Sequence, residues 1–156
     1  MFLILHNIRS AENVGSMFRS ADAFGVSKVY LTGYTPAPID RFQRPVHKIA
    51  KTALGGEKSV AWEQGDAAEV IAKLKASGVR VVALEQDSRS VSLVSYMVPT
   101  QAALIVGNEV TGVEPEVLAL ADDVVEIEMR GEKESLNVAV AAGIALFHLT
   151  LIPPVV

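Results

Sequence analysis

The 156 residues predict an α/β fold, a single domain with a mostly parallel sheet flanked by helices. Three observations carry this reading. Short apolar runs alternate along the chain with segments of helical spacing. The runs are rich in Val, Ile and Leu throughout, as strands covered on both faces require. Two of the helical segments end on glycine, the residue that closes helices.

The apolar runs are Phe2–Leu5, Val29–Leu31, Val79–Leu84, Ala103–Val106 and Val124–Ile127. Between them, Glu12–Phe24, Ala67–Ala76 and Glu114–Leu120 have helical spacing. In the first of these, Val14, Phe18 and Ala21 fall at i, i+4 and i+7 and face a core, and Gly25 stands at the C-cap. Gly78 does the same for the second. Residues 33–58 break the rhythm: Gly33-Tyr34-Thr35-Pro36-Ala37-Pro38 is loop, and the stretch after it is basic. The last helix is Ser135–Leu149. Ser135 suits an N-cap, and the residues behind it are apolar on every side, which predicts a buried helix. Its polar first turn, Ser135-Leu136-Asn137, either caps a core helix or offers free amide groups to a ligand.

Half of the residues are apolar and 21% are charged, ordinary values for a globular protein with a real core. Cysteine is absent, which excludes disulfides and thiolate metal sites and favours an intracellular, cytoplasmic setting. Met1–His6 is too short and lacks the basic flank of a signal peptide. The stretch Val138–Ile152 is interrupted by Gly143, His148 and Thr150 before Pro153-Pro154, short of the ~18–20 apolar residues that span a bilayer. The net charge of −4 argues against a general nucleic-acid binder, but its distribution is uneven. Residues 1–60 hold eight Lys/Arg against four Asp/Glu, and residues 61–156 hold six against fourteen. That asymmetry predicts one basic face able to meet phosphates; a merely solvated surface is the alternative.

Three polar blocks sit at the ends of apolar runs. Asn7 to Arg19 leads from the first strand into the first helix, where Asn13, Ser16 and Arg19 share one face. Gly107-Asn108-Glu109-Val110-Thr111-Gly112 breaks a buried strand, at the carboxyl edge where parallel sheets bind ligands, though a plain turn has the same composition. Ile127-Glu128-Met129-Arg130-Gly131 leads into Ser135-Leu136-Asn137. No dinucleotide fingerprint, phosphate-binding loop or metal-ligand spacing is present.

In this order and spacing the blocks resemble the SpoU/TrmH family of RNA 2′-O-ribose methyltransferases, within the SPOUT superfamily. The family pattern Asn-x5-Arg with a nearby Phe-Gly appears as Asn13 to Arg19 with Phe24-Gly25. Gly-Asn-Glu-x-x-Gly appears as Gly107 to Gly112, and Ile-Pro-Met-x-Gly-x3-Ser-Leu-Asn-Val-x-Val-Ala as Ile127 to Ala141. Glu128 replaces the usual Pro and Ala139 a common Ser; neither change removes a group expected to do chemistry. The resemblance implies one methyltransferase domain over residues 1–156, with no separate RNA-binding extension of the kind some relatives carry expected within it.

The resemblance implies a C-terminal trefoil knot, a homodimer, and methyl transfer from S-adenosyl-L-methionine to a ribose 2′-hydroxyl of tRNA or rRNA, with no metal. It assigns the cofactor to Leu84, Glu85, Val106, Gly107, Asn108, Ile127, Met129, Ser135, Leu136 and Asn137. It assigns catalysis to Arg19, Asn13, Glu109, Ser135 and Asn137, and RNA to Arg9, Arg19, Arg41, Arg44, Lys48 and Lys51. Arg19 is expected either to activate the hydroxyl or, as a cation, to hold the 3′-phosphate and a developing alkoxide. A neutral guanidinium at pH 7 costs at least ~7 kcal/mol, so the cationic role asks less. An inactive RNA-binding scaffold of the same fold and a nucleotide-binding enzyme of unrelated chemistry are the rival readings.

Overall fold

The computed structural model describes residues 1–151. Seven strands form one wholly parallel sheet: β1 (Phe2–His6), β2 (Lys28–Thr32), β3 (Ala61–Gly65), β4 (Arg80–Leu84), β5 (Val91–Ser92), β6 (Ala102–Val106) and β7 (Asp123–Glu126). Their spatial order is β3-β2-β1-β6-β4-β7-β5. The chain first winds outward from β1 through β2 to β3, then returns to the other side of β1. The winding therefore reverses between β1 and β6, which pair from Phe2 with Ala103 to Leu5 with Val106. Ligand crevices in open parallel sheets form at such reversals, beyond the carboxyl ends of the strands.

Alternation along the strands builds two apolar layers. Leu3, Leu5, Leu104 and Val106 pack on one face with Met17 and Phe18 of helix α1 (Ala11–Ala23) and Leu146 of helix α6 (Val138–Leu151). Ile4, Val81, Ala83 and Ile105 pack on the other with Ile71 and Leu74 of α4 (Ala67–Ala76) and Val117 of α5 (Pro115–Leu118). Both faces are thus covered, and the strands need no polar positions. Helices α1 and α4 start at Ser10 and Asp66, whose side chains accept from the N–H groups of Asn13 and Glu69. Gly25 and Gly78, with φ of 66° and 77°, end the same two helices in the left-handed conformation.

The structure corrects several expectations. The break at 33–58 is loop only at first: α2 (His47–Ala53) and α3 (Gly56–Ser59) follow it. Helix α2 crosses α1 at Gly15, where a Cβ would collide with the Ile49 carbonyl and the Thr52 hydroxyl. The β3 segment Ala61-Trp62-Glu63-Gln64-Gly65 is half-exposed at the sheet edge, so its polar residues hid it. Helix α5 is one turn rather than the whole of Glu114–Leu120. The last helix begins at Val138, not Ser135, and its cap is Asn137, whose side-chain oxygen accepts from the N–H groups of Ala139 and Val140 at 2.9 and 3.3 Å. Nor is α6 buried all round. Val140, Ile144, Phe147 and Leu151, one stripe at helical spacing, are 41–59% exposed. Among the described residues no helix is long and apolar enough to cross a membrane; Ile152 and Pro153-Pro154 lie outside them.

Candidate active site

The segments after β4, β6 and β7 converge on a cleft of about 340 Å³, within the range of small-molecule sites. Leu84 and Glu85 come from the end of β4, and Val106, Gly107, Asn108 and Glu109 from the end of β6. Ile127, Met129, Ser135 and Leu136 come from the segment between β7 and α6. Aliphatic side chains (Leu84, Val106, Ile127, Met129, Leu136, Val138) make its apolar walls, and Glu109, Glu126 and Glu134 add carboxylates. Gln86, Glu126, Glu134, Val138 and Ala141 also line it and were not singled out in the sequence. They lie next to the motifs in the chain, which was the available signal.

Not every residue assigned to the cofactor presents its side chain to the cleft. Asn137 is outside the lining: besides capping α6, its amide donates to the Asn13 side-chain oxygen at 3.2 Å. Asn108 is buried, donating to the Asn7 carbonyl (3.0 Å) and the Tyr34 hydroxyl (2.8 Å) while accepting from the N–H groups of Val110 and Thr111. Glu85 accepts from the N–H groups of Gln86 and Val113, both at 2.9 Å. Asn108 and Glu85 therefore shape the turn at 107–113. Ser135 is different: among the described residues its exposed hydroxyl has no hydrogen-bond partner.

A second cleft, of about 430 Å³, adjoins the first and is lined by Arg9, Ser10, Ala11, Glu12, Asn13 and Lys48. Glu109 lines both clefts and is the wall between them. One of its oxygens accepts from the Arg9 N–H (2.9 Å), the other from the Ser10 N–H (2.9 Å) and the Asn13 amide (3.0 Å). With the Asn137–Asn13 bond, this joins all three sequence blocks in one chain of contacts. Burial pushes the Glu109 carboxyl upward, but the three donors outweigh it and hold the group below its ordinary value. A depressed carboxylate contributes stability that is complete above the unfolded pKa near 4.3 and is lost as pH falls through the folded value. Glu109→Gln sets an amide donor against backbone donors and should cost about 2 kcal/mol in chemical denaturation at pH 7. It should also flatten the wild type's loss of stability below pH ~4.3. A variant as stable as the wild type, with the same acid profile, would remove Glu109 from this role.

The basic residues fall into groups. Arg9 and Lys48 share the second cleft, with Lys48 paired to Glu12 at 3.3 Å. Lys51 follows Lys48 by three residues on α2, and Arg41 and Arg44 stand on the loop before it. Arg19 is exposed on α1 and lines neither cleft.

Asn7 opens the first polar block but was given no role in the sequence. It takes a left-handed conformation at the end of β1 (φ 54°), donates to Glu114 at 2.9 Å, and accepts from the Tyr34 N–H at 3.2 Å. Its neighbour His6 is buried, with Nδ1 2.8 Å from the Thr32 hydroxyl. These bonds bind the turns after β1 and β2 to the start of α5, behind the 107–113 loop.

A profile of the SpoU rRNA methylase family matches residues 1–147. The chain is 32% identical over 150 residues to the 23S rRNA (guanosine-2′-O-)-methyltransferase RlmB of Acinetobacter baylyi, covering 95% of this chain and 58% of that protein. It is 34% identical over 149 residues to the tRNA (guanosine(18)-2′-O)-methyltransferase of Thermus thermophilus, covering 94% and 72% respectively. The crystal structure of an AdoMet-bound rRNA methyltransferase from Sinorhizobium meliloti superposes with a TM-score of 0.86 at 28% identity, covering 95% of this chain and 54% of that one. The chain thus spans little more than half the length of two of these three proteins.

Proposed function

The chain belongs to the SpoU rRNA methylase family, and from that premise we propose that it transfers a methyl group from S-adenosyl-L-methionine to a ribose 2′-hydroxyl of tRNA or rRNA. The observation that carries the reading is the pair of adjoining clefts divided by Glu109, one with apolar walls and carboxylates, the other with Arg9 and Lys48. The first fits the cofactor's chemistry: aliphatic walls suit an adenine ring, and carboxylates suit a sulfonium cation. Leu84, Val106, Ile127, Met129 and Leu136 would hold it. The relatives' names support a guanosine ribose as acceptor. Residues 1–156 form one methyltransferase domain in this reading, working on cytoplasmic RNA.

When bound, S-adenosyl-L-methionine supplies an electrophilic methyl carbon, so the protein has to align a ribose oxygen and ease the loss of its proton, and no metal is called for. Glu109 has both oxygens committed to backbone and amide donors, so it positions the 107–113 loop rather than accepting the proton. Asn13 and Asn137 position in the same way, tying the start of α6 to that of α1. Ser135 carries the free hydroxyl at the cleft. Arg19, as a cation, holds the 3′-phosphate and stabilises the developing alkoxide.

Arg19 stands outside its own clefts, which supports delivery from a second subunit. The exposed stripe on α6 supports a homodimer, since large apolar faces mark interfaces. Phe147 in that stripe already stacks edge-on against Phe24, with centroids 6.1 Å apart. A trefoil knot of the C-terminal segment also belongs to this reading. Helix α6 packs on α1 and β6, although it follows β7, which lies beyond β4. The segment 86–96 bonds to the stretch before α6 at Gln86–Glu134 and to the helix itself at Tyr96–His148.

Calorimetry tests the cofactor. S-adenosyl-L-methionine and its demethylated product should each bind with one site per chain. Binding of neither would sink the reading. Maps of 2′-O-methylation in cellular RNA with and without the gene then identify the nucleotide.

A further inference from the structure

The loop between β2 and α2 ends in a stiff turn that holds a phenylalanine out of the protein. Ile39 and Pro45 bridge across its base. Inside, Asp40 Oδ1 accepts from the N–H groups of Phe42 (2.8 Å) and Arg44 (3.0 Å), and Oδ2 takes the Arg44 guanidinium at 2.8–2.9 Å. The Asp40 N–H donates to the Arg44 carbonyl at 2.9 Å, and the Gln43 N–H to the Asp40 carbonyl at 3.0 Å. These bonds account for Asp40, Gln43 and Arg44. They do not account for the Phe42 ring, which is 61% exposed and belongs to neither apolar layer. Its visible company is cationic: the guanidinium carbons of Arg41 and Arg44 lie 4.7 and 5.0 Å from its centroid.

We propose that Phe42 is a stacking platform for an unpaired RNA base, with Arg41 and Arg44 taking the phosphates on either side. An aromatic ring with adjacent guanidiniums is the chemistry that grips single-stranded RNA, because every base has a π face and every linkage a negative charge. Exposed guanidinium–ring contacts are weak, so Arg41 can leave the ring for a phosphate at little cost, while Arg44 keeps its Asp40 pair and offers its remaining N–H groups. The turn is stiff beforehand, so little ordering entropy is spent on binding. It follows β2, and all strands are parallel, so it stands on the same carboxyl edge of the sheet as both clefts. Duplex RNA hides its base faces, so the site selects a loop or an unpaired end. The inference rests on the RNA-directed reading above and adds to it the single-stranded character of the substrate.

Binding of a labelled mixed-sequence oligoribonucleotide, a blunt RNA duplex of equal length, and a strand with abasic riboses tests this on the full chain. Phe42→Ala and Phe42→Leu should each weaken single-strand binding about tenfold. Phe42→Trp should preserve it. The abasic strand should bind wild type and Phe42→Ala equally, and duplex and cofactor affinities should not move in any variant. Wild-type single-strand affinity in Phe42→Leu, or an equal loss on the duplex, would overturn the platform. A wild-type chain that methylates no RNA but still shows the Phe42-dependent preference would instead overturn methyl transfer and leave the platform standing.

Discussion

Arg19→Ala should lower turnover by roughly 10²–10³ while leaving S-adenosyl-L-methionine affinity unchanged, the loss typical of removing one preorganised group that stabilises transition-state charge. The separation of effects follows from position. Arg19 is exposed on α1 and lines neither cleft of its own chain, and the role proposed for it is at the acceptor's phosphate and alkoxide rather than at the sulfonium. Arg19→Lys should recover only part of the rate, because an ammonium cannot present a planar fork to phosphate. In the proposed homodimer, Arg19 is expected to serve the partner's cleft, and subunit mixing tests this. Leu136→Trp is the other variant to mix, because Leu136 lines the cofactor cleft and is 40% exposed. Each mutant homodimer should be inactive, while mixtures should regain activity through one intact composite site. No recovery after confirmed subunit exchange would return Arg19 to its own chain's site.

The sheet was largely legible because its strands are buried on both faces. Leu3 and Leu5 face one layer and Ile4 the other, yet all are apolar, and the run is short enough to favour a buried strand over a buried helix. Edge strand β3 was not legible, since half-exposed Trp62, Glu63 and Gln64 show neither a continuous run nor clean alternation. Of the three strand-end blocks, the second and third line the first cleft and the first lines the second, while Leu84 and Glu85 at the end of β4 came only from the family resemblance. What joins the blocks was not legible. Glu109 reaches Arg9, Ser10 and Asn13 across about a hundred residues, and Asn137 reaches Asn13 across 124. Local pattern carries no information about such contacts. Ser135 looked like the cap of α6 because it precedes an apolar run, but Asn137 is nearer the helix and takes the role. The exposed stripe on α6 was invisible for a different reason. An exposed apolar stripe has the composition of a core, and periodicity alone cannot tell the two apart.

Gly107→Val should abolish cofactor binding and also cost about 3 kcal/mol of stability, the upper end of what overpacking usually costs. Gly107 belongs to the cofactor set that the resemblance implies, so the simplest account of a bulky side chain there is a plug in the pocket. The structure shows a stronger constraint. A Cβ on residue 107 would collide with the Gly112 carbonyl and the Val113 nitrogen, which are backbone and cannot swing aside. That backbone closes the turn, with Asn108 and Gly112 exchanging N–H to carbonyl bonds of 3.0 Å in both directions. Gly112 is itself tied in place: its φ is 70°, and the next residue's N–H, that of Val113, donates to Glu85 at 2.9 Å. The turn must therefore open, carrying Glu109 away from Arg9 and Ser10 and removing the wall between the clefts. Gly107→Ala should already show most of the loss, because the first added carbon makes the collision. Gly131→Val is the contrast: a Cβ there meets nothing within 4 Å, so its stability should stay near wild type. Chemical denaturation and calorimetry on the three variants separate the accounts. Lost binding with unchanged stability in Gly107→Val would mean a simple plug, and normal binding would mean that the cofactor lies elsewhere.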